Sequence, residues 1–266
     1  MFNKVYGDVR LAWLLAKRDL RNRYAASYAG FVWAIGVPLV YALINIVVFS
    51  LLMRGQMGER YGNVPFTVFY FVALSQWIMF AEVVPRSANI IREYSYILKT
   101  RVGFPVWIIP LIPFASALVT QLVIALLCAV YMWTYALAPS PSTPIIFLVW
   151  LTSFIITLGV ALIVASISVF IPDMNQIVPI VINIIFWLTP ILYPPSMVSA
   201  ASPSIQWIIL DMNPFYYITE AARLSVFGAA SEIWRDVFIA AIYGLIFLIL
   251  GTYVFRKLRP GFTDVL

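Results

Sequence analysis

The chain has 266 residues, of which 63% are hydrophobic and 11% are charged. Charged residues make up roughly 25% of an ordinary soluble domain, and a soluble fold of this size cannot bury so much apolar surface. These proportions exclude a soluble globular enzyme and leave a lipid bilayer as the solvent. The sequence has no His and one Cys, Cys128, which excludes an internal disulfide, a His/Cys metal site and Ser/His or Cys/His catalysis.

Long stretches without charge predict where the chain crosses the membrane, since a helix needs about 20 apolar residues for one crossing. Residues 102–172 carry no charge over 71 positions, which is too long for a single span. We divide this stretch at residues 138–144, where prolines prevent a helix from continuing. The sequence therefore predicts an all-α membrane protein with six transmembrane helices, at about residues 29–53, 65–84, 106–136, 145–170, 176–195 and 236–256.

The distribution of basic residues predicts the orientation of these spans. With both termini cytoplasmic, 13 of the 17 Lys and Arg residues lie in inner segments and only four lie outside, as the positive-inside rule requires. The same distribution explains the net charge of +6 through anionic lipid and without nucleic acid. We expect a cytoplasmic interface helix at 1–28, a transmembrane domain at 29–256 and a cytoplasmic tail at 257–266.

Residues 86–101, between the second and third spans, have the pattern of an amphipathic helix. Ile90, Ile91, Tyr94 and Leu98 share one face, and Arg92 lies on the opposite one. This segment is interpreted either as a docking helix for a soluble partner or as a helix resting on the membrane surface. Asp173, in the tight turn before the fifth span, is expected to cap the next helix or to touch a partner.

The N-terminal helix is a second amphipathic segment on the same side. Val9, Trp13, Ala16 and Leu20 form an apolar row, which is typical of an interfacial anchor whose cations reach the lipid headgroups. Contact with a partner is compatible with that role. The cations of this helix are Arg10, Lys17, Arg18, Arg21 and Arg23.

Residues 196–235 form the longest outer segment, and prolines interrupt it repeatedly. We interpret its short apolar pieces as half-helices that dip into the outer leaflet and line the mouth of a path, because irregular backbone at that depth needs shielding. Aromatic side chains in this region and in two spans are interpreted either as a track for sugar rings or as an interfacial belt. They include Phe66, Tyr70, Trp77, Phe186, Trp187, Tyr193, Trp207, Phe215, Tyr216 and Tyr217.

Four groups of residues, in matching order and spacing, resemble the permease subunit of type-2 ABC exporters, in particular the polysaccharide and O-antigen export group. They are Arg18-Asp19 with Arg23-Tyr24, Gly30, Trp33 and Pro38; Asn89, Leu98 and Phe104-Pro105; Phe186 to Tyr193; and Asn213-Pro214-Phe215-Tyr216 with Arg223. One position departs from the family: Pro172 stands before Asp173, where Arg is common. This difference bears on the partner contact that is expected at Asp173.

The resemblance implies a multi-pass protein of the bacterial inner membrane that exports a lipid-linked polysaccharide. It implies a homodimer with two copies of a cytoplasmic ABC ATPase, which would hold the ATP and Mg; the present chain needs no cofactor and has no Walker A loop, as no Lys follows a Gly. The cations of residues 10–23 would lie at the substrate entrance, and the ten aromatic residues along the glycan path. The ATPase would be contacted by Ile90, Ile91, Arg92, Glu93, Tyr94, Leu98 and Asp173.

Two alternatives stay open at the level of sequence. Permeases for teichoic acid or another amphiphile share much of this pattern. An intramembrane enzyme would need charged groups clustered at one membrane face, whereas the acidic residues here are scattered, at Glu59, Glu82, Glu93, Asp173, Asp211 and Glu220.

Overall fold

A computed structural model describes residues 2–25, 32–52, 61, 64–100, 104–228 and 230–266. These residues are almost entirely helical and include no strand, which confirms the all-α prediction. The helices are α1 (Phe2–Ala25), α2 (Val32–Leu52), α3 (Phe66–Glu93), α4 (Ser95–Thr100), α5 (Ile112–Thr134), α6 (Ile146–Phe170), α7 (Met174–Leu188), α8 (Pro203–Gln206), α9 (Pro214–Phe227), α10 (Ala230–Leu258) and α11 (Phe262–Val265).

Four helical stretches within the described ranges are long and apolar enough to cross a membrane: 66–100, 106–134, 143–170 and 232–265. The division of the long charge-free stretch is confirmed, because α5 ends at Thr134 and α6 begins at Ile146. α7 is a shorter apolar helix of 15 residues, and α2 occupies most of the first predicted span. The count of six spans stays a prediction.

α3 is the central helix, and it runs farther than the sequence predicts. Its 28 residues continue from the second predicted span through Glu93 without a helix boundary near residue 85. Pro85 removes only one backbone hydrogen bond and is accommodated inside the helix. Residues 86–101 therefore differ from the predicted separate helix: they comprise the last two turns of α3, the short α4 after Tyr94, and Arg101, which lies outside the described residues.

α6 and α10 cross at very close range because glycines line the contact. A methyl group at Gly159 would overlap backbone atoms of Phe247, and one at Gly251 would overlap the carbonyl oxygen of Gly159. Backbone atoms cannot move aside as the end of a side chain can, so the two helices depend on the missing Cβ atoms. This contact connects the last long helix to the rest of the bundle.

Replacing Gly159 with alanine should therefore destabilise the protein by about 3 kcal/mol, as expected for forced overpacking. Thermal unfolding in detergent, followed by size-exclusion chromatography, measures the effect. Gly36→Ala is a matched control on α2, where the added methyl group meets only the Trp33 side chain at 3.9 Å. Equal melting temperatures for the two variants would contradict the close crossing.

The predicted outer segment, between α7 and α10, consists of short pieces, as the prolines predict. A turn of 3-10 helix at Pro195–Ala200 leads to α8, a widened turn at Trp207–Asp211 follows, and α9 completes the segment. α10 begins at Ala230, six residues before the predicted sixth span, and its first turns include charged residues. Entry of these pieces into the membrane stays a prediction.

Candidate functional site

The apolar face of residues 86–101 is covered by this chain itself. Ile90, Ile91 and Tyr94 are buried in a cluster that also contains Leu15 of α1 and Ile108 beyond α4. Burial of this face contributes to the stability of the bundle. These three residues, predicted to contact an ATPase, are therefore not exposed on the surface of the chain.

Arg92 also contacts the chain itself. Its Nη2 atom donates hydrogen bonds to the carbonyl oxygen of Val169 at 2.6 Å and to that of Ser168 at 3.4 Å. These carbonyls belong to the last turn of α6, where a cation satisfies unpaired acceptors and opposes the helix dipole. Arg92 thereby holds the end of α3 beside the end of α6.

Several exposed side chains follow these two helix ends along the chain. Glu93, Tyr96 and Lys99 are exposed, Leu98 is half-buried, and Asp173 is exposed in the turn that follows α6. Asp173 occupies the first position before α7, but its carboxylate makes no capping hydrogen bond. We call Glu93, Tyr96, Lys99 and Asp173 the coupling surface. Sequence reasoning missed Tyr96, although its exposure follows from the same helical pattern.

α1 packs on the bundle along one face and leaves its cations exposed on another. Leu15 and Ala16 are buried, whereas Trp13 and Leu14 are exposed. The cations Arg10, Lys17, Arg18 and Arg21 are all exposed, and the side chain of Arg23 lies outside the described residues. An exposed face that combines apolar and basic side chains suits the boundary between headgroups and hydrocarbon.

An ion pair connects α1 to α3, which the sequence did not predict. Nη2 of Arg86 lies 2.7 Å from Oδ2 of Asp19, and its Nη1 donates to Oγ of Ser116 at 2.9 Å. The contact with Asp19 spans 67 positions along the chain, which a local helical pattern cannot indicate.

Half of the ten residues of the predicted aromatic track are buried inside the bundle. Phe66, Tyr70 and Trp77 of α3 are buried. The Trp77 ring lies 5.8 Å from that of Phe186 and 5.1 Å from that of Phe215, distances at which aromatic rings attract one another. Together these contacts join α3, α7 and α9. These rings pack against one another inside the bundle.

The remaining aromatic residues differ in exposure. Trp187 and Trp207 are 56% and 55% exposed, Tyr193 and Tyr216 are half-buried, and Tyr217 is buried. The Tyr217 hydroxyl donates to the carbonyl oxygen of Asp211 at 3.2 Å. Among the ten residues of the predicted aromatic track, the two tryptophans therefore present the largest accessible ring faces.

A buried polar group beneath the outer segment was missed by sequence reasoning. Arg223 and Glu220 of α9 are both 0% exposed. The Tyr61 hydroxyl donates to both oxygens of Glu220, at 2.6 and 2.8 Å, and the guanidinium of Arg223 lies 3.5 Å from the ring centre of Phe69. The sequence did contain a signal for this buried group: Glu220 and Arg223 are ionisable residues one turn apart in a largely apolar segment.

The long apolar helices and the basic, partly apolar face of α1 are those of a protein that crosses the membrane several times. The chain matches the family described as ABC-2 type transporter over residues 10–227, and it belongs to that family. It is thus a multi-pass membrane permease.

Three relatives are similar to this chain over at least 90% of its length. The chain is 29% identical to the O-antigen export system permease protein RfbA of Klebsiella pneumoniae, covering 95% of this chain and 93% of the relative. It is 28% identical to the protein of the same name from Myxococcus xanthus, with coverage of 94% and 93%. Identity to the polysialic acid transport protein KpsM of Escherichia coli is 22%, with 90% of each chain covered.

Proposed function

We propose that this chain is the transmembrane subunit of an ATP-driven exporter of an O-antigen-like polysaccharide. The glycan would be linked to undecaprenyl diphosphate and would cross the bacterial inner membrane outward. The observation that carries this proposal is the similarity to O-antigen export permeases over nearly the whole length of both chains. The membrane family and the long apolar helices support the same role.

The proposed assembly is a homodimer with two copies of a cytoplasmic ABC ATPase, which bind ATP and Mg. The coupling surface supports this arrangement. Its exposed residues follow the ends of α3 and α6 along the chain, and the hydrogen bond from Arg92 to the Val169 carbonyl joins those two ends. The buried residues of the same segment, Ile90, Ile91 and Tyr94, would support that surface from below. In this proposal, the ATPase is contacted directly by Glu93, Tyr96, Lys99 and Asp173.

The basic face of α1 is proposed to receive the lipid-linked substrate at the cytoplasmic side. Its four described cations are exposed together with Trp13 and Leu14. Cations attract a diphosphate, while the apolar side chains remain in contact with lipid. The glycan would leave past the outer aromatics, of which Trp187 and Trp207 offer exposed ring faces for stacking on sugars.

Deletion of the gene for this chain tests the proposed function. The deletion strain should lose the glycan from its surface and accumulate lipid-linked glycan in the inner membrane, because synthesis continues while export stops. Expression of the native chain from a plasmid should restore the surface glycan. Unchanged surface glycan in the deletion strain would contradict the proposal.

Capsular polysaccharide is a second candidate substrate, which the similarity to the polysialic acid transport protein favours. Extraction of the surface glycan from the same strains distinguishes the two. A glycan missing from the lipopolysaccharide fraction supports O-antigen export, and one missing from the capsule supports the second candidate.

Both termini should be cytoplasmic. Reporter fusions at residues 4 and 260 should give the activity of the inner side, and a fusion at Ser140 should give that of the outer side. The physical reason is the excess of basic residues in the segments assigned to the cytoplasm. Opposite locations for the two ends would overturn the even number of spans.

A further inference from the structure

The outer end of α7 is fastened to α9 by two side chains. Nδ2 of Asn213 donates to Oγ1 of Thr189 at 2.9 Å and to the carbonyl oxygen of Leu188 at 3.3 Å. Nη2 of Arg223 donates to the carbonyl oxygen of Ile191 at 2.9 Å. We call these contacts the outer anchor. Asn213 precedes α9 and Arg223 lies near its end, so both parts of α9 hold the turn that follows α7.

The members of the outer anchor are themselves buried and make further hydrogen bonds. Oδ1 of Asn213 accepts a hydrogen bond from the backbone N–H of Phe215 at 3.0 Å, which fixes the orientation of the amide. Nε of Arg223 also donates to the carbonyl oxygen of Phe69 at 3.4 Å, so α3 holds the guanidinium from the other side. Thr189 and Ile191 are buried as well.

A buried charge of this kind needs an explanation, since an ion inside a membrane protein is costly to place there. Glu220, one turn earlier on α9, supplies the opposite charge near Arg223. An apolar pair would pack equally well, but it could not donate a hydrogen bond to the Ile191 carbonyl. The charged side chain of Arg223 therefore adds one contact, its hydrogen bond to the turn that follows α7.

Away from this end, α7 makes few buried contacts with the rest of the chain. Of its 15 residues only Val178 and Ile182 are buried, and Pro179 interrupts its backbone hydrogen bonds. Its opposite end follows Asp173 in an exposed turn of the coupling surface. Large apolar side chains are exposed along its length, at Ile177, Ile180, Val181, Ile184 and Trp187.

We propose that Asn213 and Arg223 are positioning residues whose outer anchor stays closed throughout transport and acts as a fixed pivot for α7. A force applied at the Asp173 turn would then tilt the helix about its outer end and widen the path along its exposed face. This inference rests on the proposed export function, and it specifies which part of the path moves and which does not.

A cysteine pair tests the pivot directly. Thr189→Cys and Asn213→Cys place two thiols on residues whose side-chain atoms now lie 2.9 Å apart. A disulfide between them, verified by loss of free thiol, keeps this contact closed. Cys128→Ala removes the single native cysteine. Export of lipid-linked glycan is measured with the complete transporter in vesicles, before and after oxidation, and again after reduction. Oxidation should leave export equal to, or above, that of the reduced sample.

A second set of variants adds Arg223→Gln and Glu220→Gln, which remove the Ile191 bond without leaving a buried charge unpaired. Export by the reduced protein should fall about tenfold, since a hydrogen bond from a charged group is lost. Oxidation of the cysteine pair should restore most of it, because the disulfide replaces the anchor. A residue that mattered only for folding would not be rescued in the assembled transporter.

Two outcomes would overturn the proposal. Loss of export on oxidation of the first pair, regained on reduction, would mean that the anchor opens during transport. Failure of a fully formed disulfide to rescue the second set would mean that Arg223 does not act through this turn. If the second set does not assemble, the first pair alone decides. The native chain, measured in parallel, tests the export function separately.

Discussion

Charge reversal on the coupling surface, by Glu93→Arg together with Asp173→Arg, should abolish association with the ATPase. Both acidic side chains are exposed, and the bond from Arg92 to the Val169 carbonyl keeps their segments adjacent. Their reversal presents repulsive charge to any complementary surface, and like charges across an interface cost several kcal/mol. Co-purification of the ATPase subunit and stimulated ATP hydrolysis are the measurements.

Glu232→Arg is the matched control, because Glu232 is an exposed acidic residue at the start of α10 on the predicted outer side. It should leave co-purification unchanged. Ile90 and Ile91 are unsuitable for this test, because their substitution would destabilise the buried cluster that they share with α1. Retention of the ATPase by the double variant at the level of the control would refute the proposed coupling surface.

Phe215→Ala should destabilise the protein by about 3–5 kcal/mol, the usual cost of removing a buried phenylalanine. The ring of Phe215 lies 4.3 Å from that of Phe80 and 5.1 Å from that of Trp77, so its removal leaves a cavity between α3 and α9. Unfolding in detergent should show the loss, and membrane levels of the variant should fall.

Trp207→Ala should have the opposite profile, because the Trp207 side chain is more than half exposed. The fold and ATPase association should be retained, while glycan export should fall about two- to tenfold if the ring stacks on sugars. Normal export would favour an interfacial belt. Comparing these two positions separates the proposed exit path from the core, because Phe215 is buried and Trp207 is exposed.

The sequence determined the solvent and the class of this protein. Its scarcity of charge requires a bilayer, and backbone groups in a bilayer must be paired within helices or closed barrels. The prolines of 138–144 determined where α5 and α6 separate, because this choice is local. The basic residues of α1 and the exposed position of Asp173 were likewise identifiable from the residues alone.

Only the tertiary structure decided which surfaces are free. An amphipathic pattern over residues 86–101 states that one face is apolar, but it does not state whether a partner or the chain covers that face. Here Leu15 and Ile108 cover it, and the proposed docking role moves to Glu93, Tyr96 and Lys99. The aromatic residues of α3 show the same limit, since rings suited to a sugar track are equally suited to packing against α7 and α9.

The polar contacts between distant segments were also beyond the reach of the sequence. Asp19 and Arg86 are separated by 67 positions, and Ile191 and Arg223 by 32. Periodicity describes neighbours within one helix, whereas these pairs depend on how the helices approach one another. The buried position of Arg223 follows from that approach, because only the folded bundle brings the Ile191 carbonyl and the Phe69 ring to its guanidinium.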